Sequence, residues 1–352
     1  MYESVYTNET LKIFTDLLSV PAPTSREEIM AAKIMDYAKK FGYEPEMDYS
    51  GNVLVRVSGN GKSTRMAMTA SHIDEIGLVV TNIEKDGKLR VHKLGGTLPW
   101  KIGERPVMIL TDKRDYITGL VSFGAGHTMV GQNTVDWNMV HVETGLTAEK
   151  LKERGVRVGS VAVPLREHVG PIVFGDEEDP LIAAWTYDDR MGCAFQLSVL
   201  KAMKDGGVMP NCNWIFAFTK QEEVKGNGIK PLTFTEKPDV LVSIDGGAIF
   251  HGSDLTLDGG CAVITKDKLA DYSFDVILAI QKAADAVGQS LQYVVTDAAY
   301  TDSSLALQAG TVKRIGHFGY TKANSHGFEL MKASMLKQYF ELFYSFVKTF
   351  VP

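Results

Sequence analysis

Two histidines and six acids of this chain have types and neighbours suited to holding a metal. His72 and Asp74 stand in SHIDEIG, Asp188 and Asp189 in YDDRMGC, and Glu222 and Glu223 in QEEV; Asp245 precedes Gly246-Gly247, and His326 lies in NSHGFE. Imidazole and carboxylate donors without a thiolate suit zinc, cobalt or manganese. Charge counting favours two ions. Asp188, Glu223 and Asp245 carry three negative charges, and a bridging hydroxide would add a fourth, balancing two divalent cations. In a two-metal site the ions lie ~3.5–4 Å apart, close enough for one carboxylate such as Asp188 to bridge them.

Adjacent residues at a strand end point to different sides, so Glu222 and Glu223 can divide the work. Glu223 is assigned to metal. Glu222 is assigned as general base, taking a proton from the bridging water and delivering it to the leaving amine. Asp74 would accept from the far nitrogen of His72 and hold its tautomer.

These residues need elements to carry them. Short apolar runs each stop at a cluster: RMAMTA before Ser71-His72, LIAAWTY before Asp188, NWIFAFT before Gln221, and DVLVSI before Asp245. Helical stretches such as 191–204 and 274–287 separate or follow them, so the pattern predicts an α/β domain with a mainly parallel sheet and helices on both faces. Ligands gather beyond the carboxyl ends of such strands, and four polar ends would converge there. A helix over 24–41 is expected, with Ser25 and Glu28 in capping-box spacing. Met335, Tyr339, Leu342 and Phe346 form the apolar stripe of a closing helix.

Between 77 and 168 the pattern changes to alternating strands, LVVTNIE, KLRVHKL, PVMILTD, ITGLVSF, MVHVET and SVAVPL, with turn residues between them and one helical piece at 147–155. This predicts a β-barrel inserted into a catalytic domain made of 1–76 and 169–352.

Composition removes other classes. The chain has 352 residues, about two domains' worth. Its 37 basic and 43 acidic residues leave a net charge of −6, which gives no general attraction to nucleic acid or anionic lipid. No apolar run or leader pattern indicates a membrane span. Three cysteines without a CxxC pair fit a reducing compartment, so a cytoplasmic location is expected.

Taken together, SHIDEIG, YDDRMGC, QEEV, IDGG and NSHGFE resemble, in order and spacing, the deblocking or glutamyl aminopeptidase family. These are dinuclear metallopeptidases, some labelled endoglucanases, whose members often form tetrahedral shells. GVRVGS and the Tyr300-Thr301-Asp302 segment add to the likeness, which covers nearly the whole chain. The resemblance implies a zinc-peptidase-like catalytic domain and an inserted barrel that serves oligomerisation, dimer-based and extending to a dodecamer. It implies that His72, Asp188 and Asp245 hold one ion and that Asp188, Glu223 and His326 hold the other, zinc foremost, with cobalt or manganese as alternatives. It makes Glu222 the catalytic base and Asp74 the residue orienting His72, and it implies a cis peptide between Asp188 and Asp189.

The implied activity is removal of the first residue from peptides with a free N-terminus. The sequence departs from the family pattern at Lys225 and Asn227, at the Gly-Gly-Ala after Asp245, and at Gly327, so no preferred substrate residue carries over.

Bland readings stand beside these. Alone, His72-Ile-Asp74 is an ordinary core or surface pair, paired glutamates are usually solvated, and Asp188-Asp189 suits a helix N-terminus. His92, His141, His168 and His251 read as surface or satisfied groups, while the Gly-rich loop of His127 could lean over the site. Two rival functions follow. A glycoside hydrolase needs only a pair of carboxylates and survives chelation. A non-catalytic peptide-binding scaffold would hold no metal.

Overall fold

The computed structural model describes residues 2–128 and 134–352. Its central sheet has six strands in the order Glu46–Met47, Val53–Val57, Asn213–Thr219, Met66–His72, Val240–Ser243 and Ile315–His317. The last four run parallel, and Val53–Val57 joins Asn213–Thr219 antiparallel. Alternation along the strands explains why both faces are covered. Trp214, Phe216 and Phe218 face one way, into a core shared with helices Tyr2–Leu18, Glu28–Lys40, Tyr187–Asp205 and Ser334–Thr349. Ile215 and Ala217 face the other way, against Ile229, Leu232 and Leu305 from two shorter helices. A strand buried on both faces must be apolar at every position, which is the pattern of NWIFAFT.

The register places Thr219 opposite His72. The parallel strands therefore deliver their first polar residues to one rim.

The segment between Gly77 and Pro164 closes a six-stranded antiparallel barrel in the order Gly77–Ile83, Leu89–Leu94, His141–Glu143, Tyr116–Ser122, Pro106–Leu110 and Val161–Pro164. Val80, Leu89, Val91, Ile109 and Val142 are buried in it. Besides the short helix Pro99–Ile102, which the sequence pattern did not indicate, it holds the expected helix, Ala148–Arg154, which starts where Thr147 accepts the N–H of Lys150 and stops at Gly155, whose φ is 83°. That left-handed turn needs glycine.

Two expectations from sequence fail. The run before Asp188, Leu181–Trp185, does not join the central sheet; it lies antiparallel between Ile172–Phe174 and Phe328–Lys332 in a separate three-stranded sheet. An apolar run signals a strand, but its periodicity carries no address. The capping box also fails. Ser25 lies at φ 74°, the helix begins at Glu28, and the Glu27 carboxylate accepts the N–H of Ser25. The other predicted helices form, and Met335, Tyr339, Leu342 and Phe346 are all buried.

Candidate metal centre

His72 is the last residue of its strand and is buried. Its Nε2 lies 2.8 Å from Asp188 Oδ1, and its Nδ1 faces the backbone carbonyl of Asp74 at 3.1 Å and Asp74 Oδ1 at 3.5 Å. The Asp74 carboxylate has other partners: Oδ1 accepts the N–H of Glu222 at 3.0 Å, and Oδ2 accepts Thr24 Oγ1 at 2.8 Å and the N–H of Glu223 at 3.4 Å. One residue thus fixes the imidazole through its carbonyl and the paired glutamates through its side chain.

Asp188 enters from the separate sheet. The chain turns into the helix Tyr187–Asp205 through a cis peptide between Asp188 and Asp189. Arg190, buried two residues on, donates to Glu75 Oε1 at 2.8 Å and to the carbonyls of Leu17 and Val20. Those bonds tie the helix start to the segment after His72 and to the end of the N-terminal helix. Ligand atoms of His72, Asp188 and Glu223 lie within 4.8 Å of one another, and so do those of His72, Asp189 and Asp245. Asp189 is already committed: Tyr320 Oη and the N–H of Gly192 donate to its Oδ1, and the N–H of His72 to its Oδ2. His326 Nε2 completes the group, 3.6 Å from Asp188 Oδ2 and 3.7 Å from Glu223 Oε1.

The crowding shows in the acidities. Burial, added to by Asp188 and opposed by His326, pushes Glu223 up to about 7; burial and Asp188 push Asp245 up to about 6. Burial also raises Glu222 well above the ordinary carboxylate range. Asp188 moves the other way, because Lys322, His326 and His72 outweigh its burial. The Glu223 charge lifts His326 to about 10 against its burial. Acids forced together out of water, with imidazoles drawn toward positive charge, are what a cation site requires. The donors, imidazole nitrogen and carboxylate oxygen, fit divalent zinc, cobalt or manganese.

The centre opens into a cavity of about 580 Å³. Asp188, Glu222, Glu223, Asp245 and His326 all line it, and Glu222 Oε1 is buried without a hydrogen-bond partner. The barrel contributes Gly96, Leu98 and Lys101 to the wall. A Cβ on Gly96 would stand 2.6 Å from His326 Cε1, so only glycine lets the barrel rim approach that imidazole.

Every residue selected from the sequence as a candidate ligand therefore lies at one place. His127 is exposed in the turn Gly126–Thr128, and the rest of its loop, 129–133, lies outside the described residues. Sequence reasoning missed Lys322 and Glu329. Lys322 is buried, with Nζ 2.8 Å from Asp188 Oδ2 and 2.7 Å from Glu329 Oε1. It also passed over Lys101 and the bond that Thr219 Oγ1 donates to Asp302 Oδ2. A lysine in sequence normally reads as solvated; only its neighbourhood within TKANSHGFE hinted otherwise.

Comparison with known proteins identifies the family of the chain. The family model described as M42 glutamyl aminopeptidase matches residues 51–342. A lysyl aminopeptidase of Pyrococcus furiosus is 28% identical over 216 residues, 60% of this chain and 59% of its own. A glutamyl aminopeptidase of Lactococcus lactis is 26% identical over 60% of each chain. Among solved structures, an aminopeptidase from the archaeon Desulfurococcus kamchatkensis superimposes with TM-score 0.85 at 23% identity, covering 99% of this chain and 96% of that one. The Pyrococcus horikoshii TET1 peptidase, described as assembling into a tetrahedron or a large octahedral shell, gives 0.83 at 24% over 97% and 99%. With five sixths of its length matched by that model, this chain belongs to the M42 glutamyl aminopeptidase family and is a peptidase.

Proposed function

We propose that the protein is a metal-dependent aminopeptidase with a dinuclear centre. His72, Asp188 and Asp245 would hold one ion, and Asp188, Glu223 and His326 the other. The observation that carries this reading is the convergence of these five side chains from distant parts of the chain: Asp188, Glu223, Asp245 and His326 line one cavity, and the buried His72 stands directly behind Asp188. Zinc is the favoured ion; cobalt and manganese suit the same donors. When bound, the pair would polarise the scissile carbonyl and ease deprotonation of the attacking water.

The chain's own residues do the rest. Glu222 projects into the cavity with one unpartnered oxygen, and burial has raised its proton affinity, so it suits taking a proton from water and passing it to the leaving amine. Asp74 holds the backbone of Glu222 and Glu223 and faces the His72 ring, keeping base and ligand in register. The substrate is a peptide with a free N-terminus, whose amine suits the carboxylate-rich floor. The barrel, 77–168, is read as an assembly module and the protein as a homo-oligomer; the relatives described as shells support this. Its three cysteines are buried and unpaired, in keeping with a reducing cytoplasm. Among the described residues, no helix is long and apolar enough to cross a membrane.

Glu222→Gln decides the assignment of the base. It is expected to keep the wild-type metal content by elemental analysis and lose about 10²–10⁴-fold in turnover of aminoacyl chromogenic substrates. Undiminished turnover removes Glu222 from the mechanism. Glycoside cleavage that survives chelation would replace the peptidase reading with the carboxylate-pair alternative.

A further inference from the structure

We propose that the buried Lys322–Glu329 pair is a positioning device that orients Asp188 between the two ions and so sets the affinity of the ion on the His326 side. This rests on the dinuclear reading above.

A carboxylate shared by two cations must turn one oxygen to each. Here Asp188 Oδ1 lies 2.8 Å from His72 Nε2, and Oδ2 lies 3.6 Å from His326 Nε2. Rotation about the Cβ–Cγ bond would spoil that division, and Lys322 Nζ, 2.8 Å from Oδ2, opposes it. Glu329 holds the same group by its backbone: Oε2 accepts the N–H of Asp188 at 2.9 Å, while Oε1 accepts the N–H of His326 at 3.2 Å and Lys322 Nζ at 2.7 Å. One acid therefore fixes the backbone of two ligands and the ammonium that orients the first.

The surroundings are shaped for this lysine. Lys322 and Glu329 are each 1% exposed, and a charge so far from water is retained only when paired and hydrogen-bonded. Gly246, next to the ligand Asp245, leaves room for its stem; a Cβ there would stand 2.2 Å from Lys322 Cε. Partners of metal ligands commonly change metal affinity 10- to 100-fold when removed.

The test equilibrates the full-length protein with a series of Co2+ concentrations and follows bound metal and visible absorption. The wild type is expected to bind two ions per chain. In Lys322→Met the first ion should bind as before, and the second at least tenfold more weakly, with a matching loss of the absorption change of the second equivalent. Wild-type affinity for both ions in that variant, or equal weakening of both, overturns the positioning role. Fewer than two ions in the wild type overturns the dinuclear reading itself, a separate result. If Lys322→Met does not fold, Glu329→Gln takes its place: selective weakening of the second ion supports the proposal, and unchanged binding overturns it.

Discussion

The two sides of the metal centre are built differently. His72 ends one parallel strand of the central sheet and Asp245 lies two residues past another, while Glu222 and Glu223 follow a third by three and four residues and have their backbone held by Asp74. Asp188 and His326 come from a small antiparallel sheet and the turn leading into it, and they are held by one buried ion pair and by contact with the barrel. The first side is secured by the sheet together with the Asp74 carboxylate, while the second depends on the Lys322–Glu329 pair and the close approach of the barrel. That difference makes the second side the more sensitive to substitution.

The largest effect is expected where the two sides meet. Asp188→Asn removes the negative charge that the two proposed ions would share and should abolish stoichiometric binding of both, with activity down by about 10³-fold or more; elemental analysis that still finds two ions would show the sides to be independent. Protons come next. In the metal-free protein Glu223 is raised to about 7 and His326 to about 10, and both must lose their protons to act as ligands. Metal affinity should therefore fall as pH is lowered from 8 to 6, by up to about tenfold per pH unit for each proton released. Calorimetry that finds no proton release would contradict this. The smallest effect tests the sheet side alone. Thr24→Ala deletes one buried hydrogen bond to Asp74 and should lower stability by about 1–2 kcal/mol, read as a shift in Tm, while two ions still bind.

The same division governs how much could be read from the residues. RMAMTA, NWIFAFT and DVLVSI are largely apolar and are each followed within a few residues by a polar cluster, so both the strands and the candidate residues beyond them are legible. The barrel is legible for a different reason, as alternation and turn residues mark each hairpin. On the other side, LIAAWTY looks the same as the sheet strands yet pairs elsewhere, because pairing partners are chosen by tertiary packing. Ser25 fits a cap in spacing but not in φ. Lys322 shows its burial only when Glu329 and Asp188 are brought beside it; in the sequence its one hint is the nearby NSHGFE motif.

The near-contact of Gly96 with His326 has a mechanical consequence. With no space left for a methyl carbon between loop and ring, a tilt of the inserted module is transmitted to an imidazole rather than absorbed by slack. The barrel is thus a strut as well as an appendage: excising it would remove the backstop against which His326 rests.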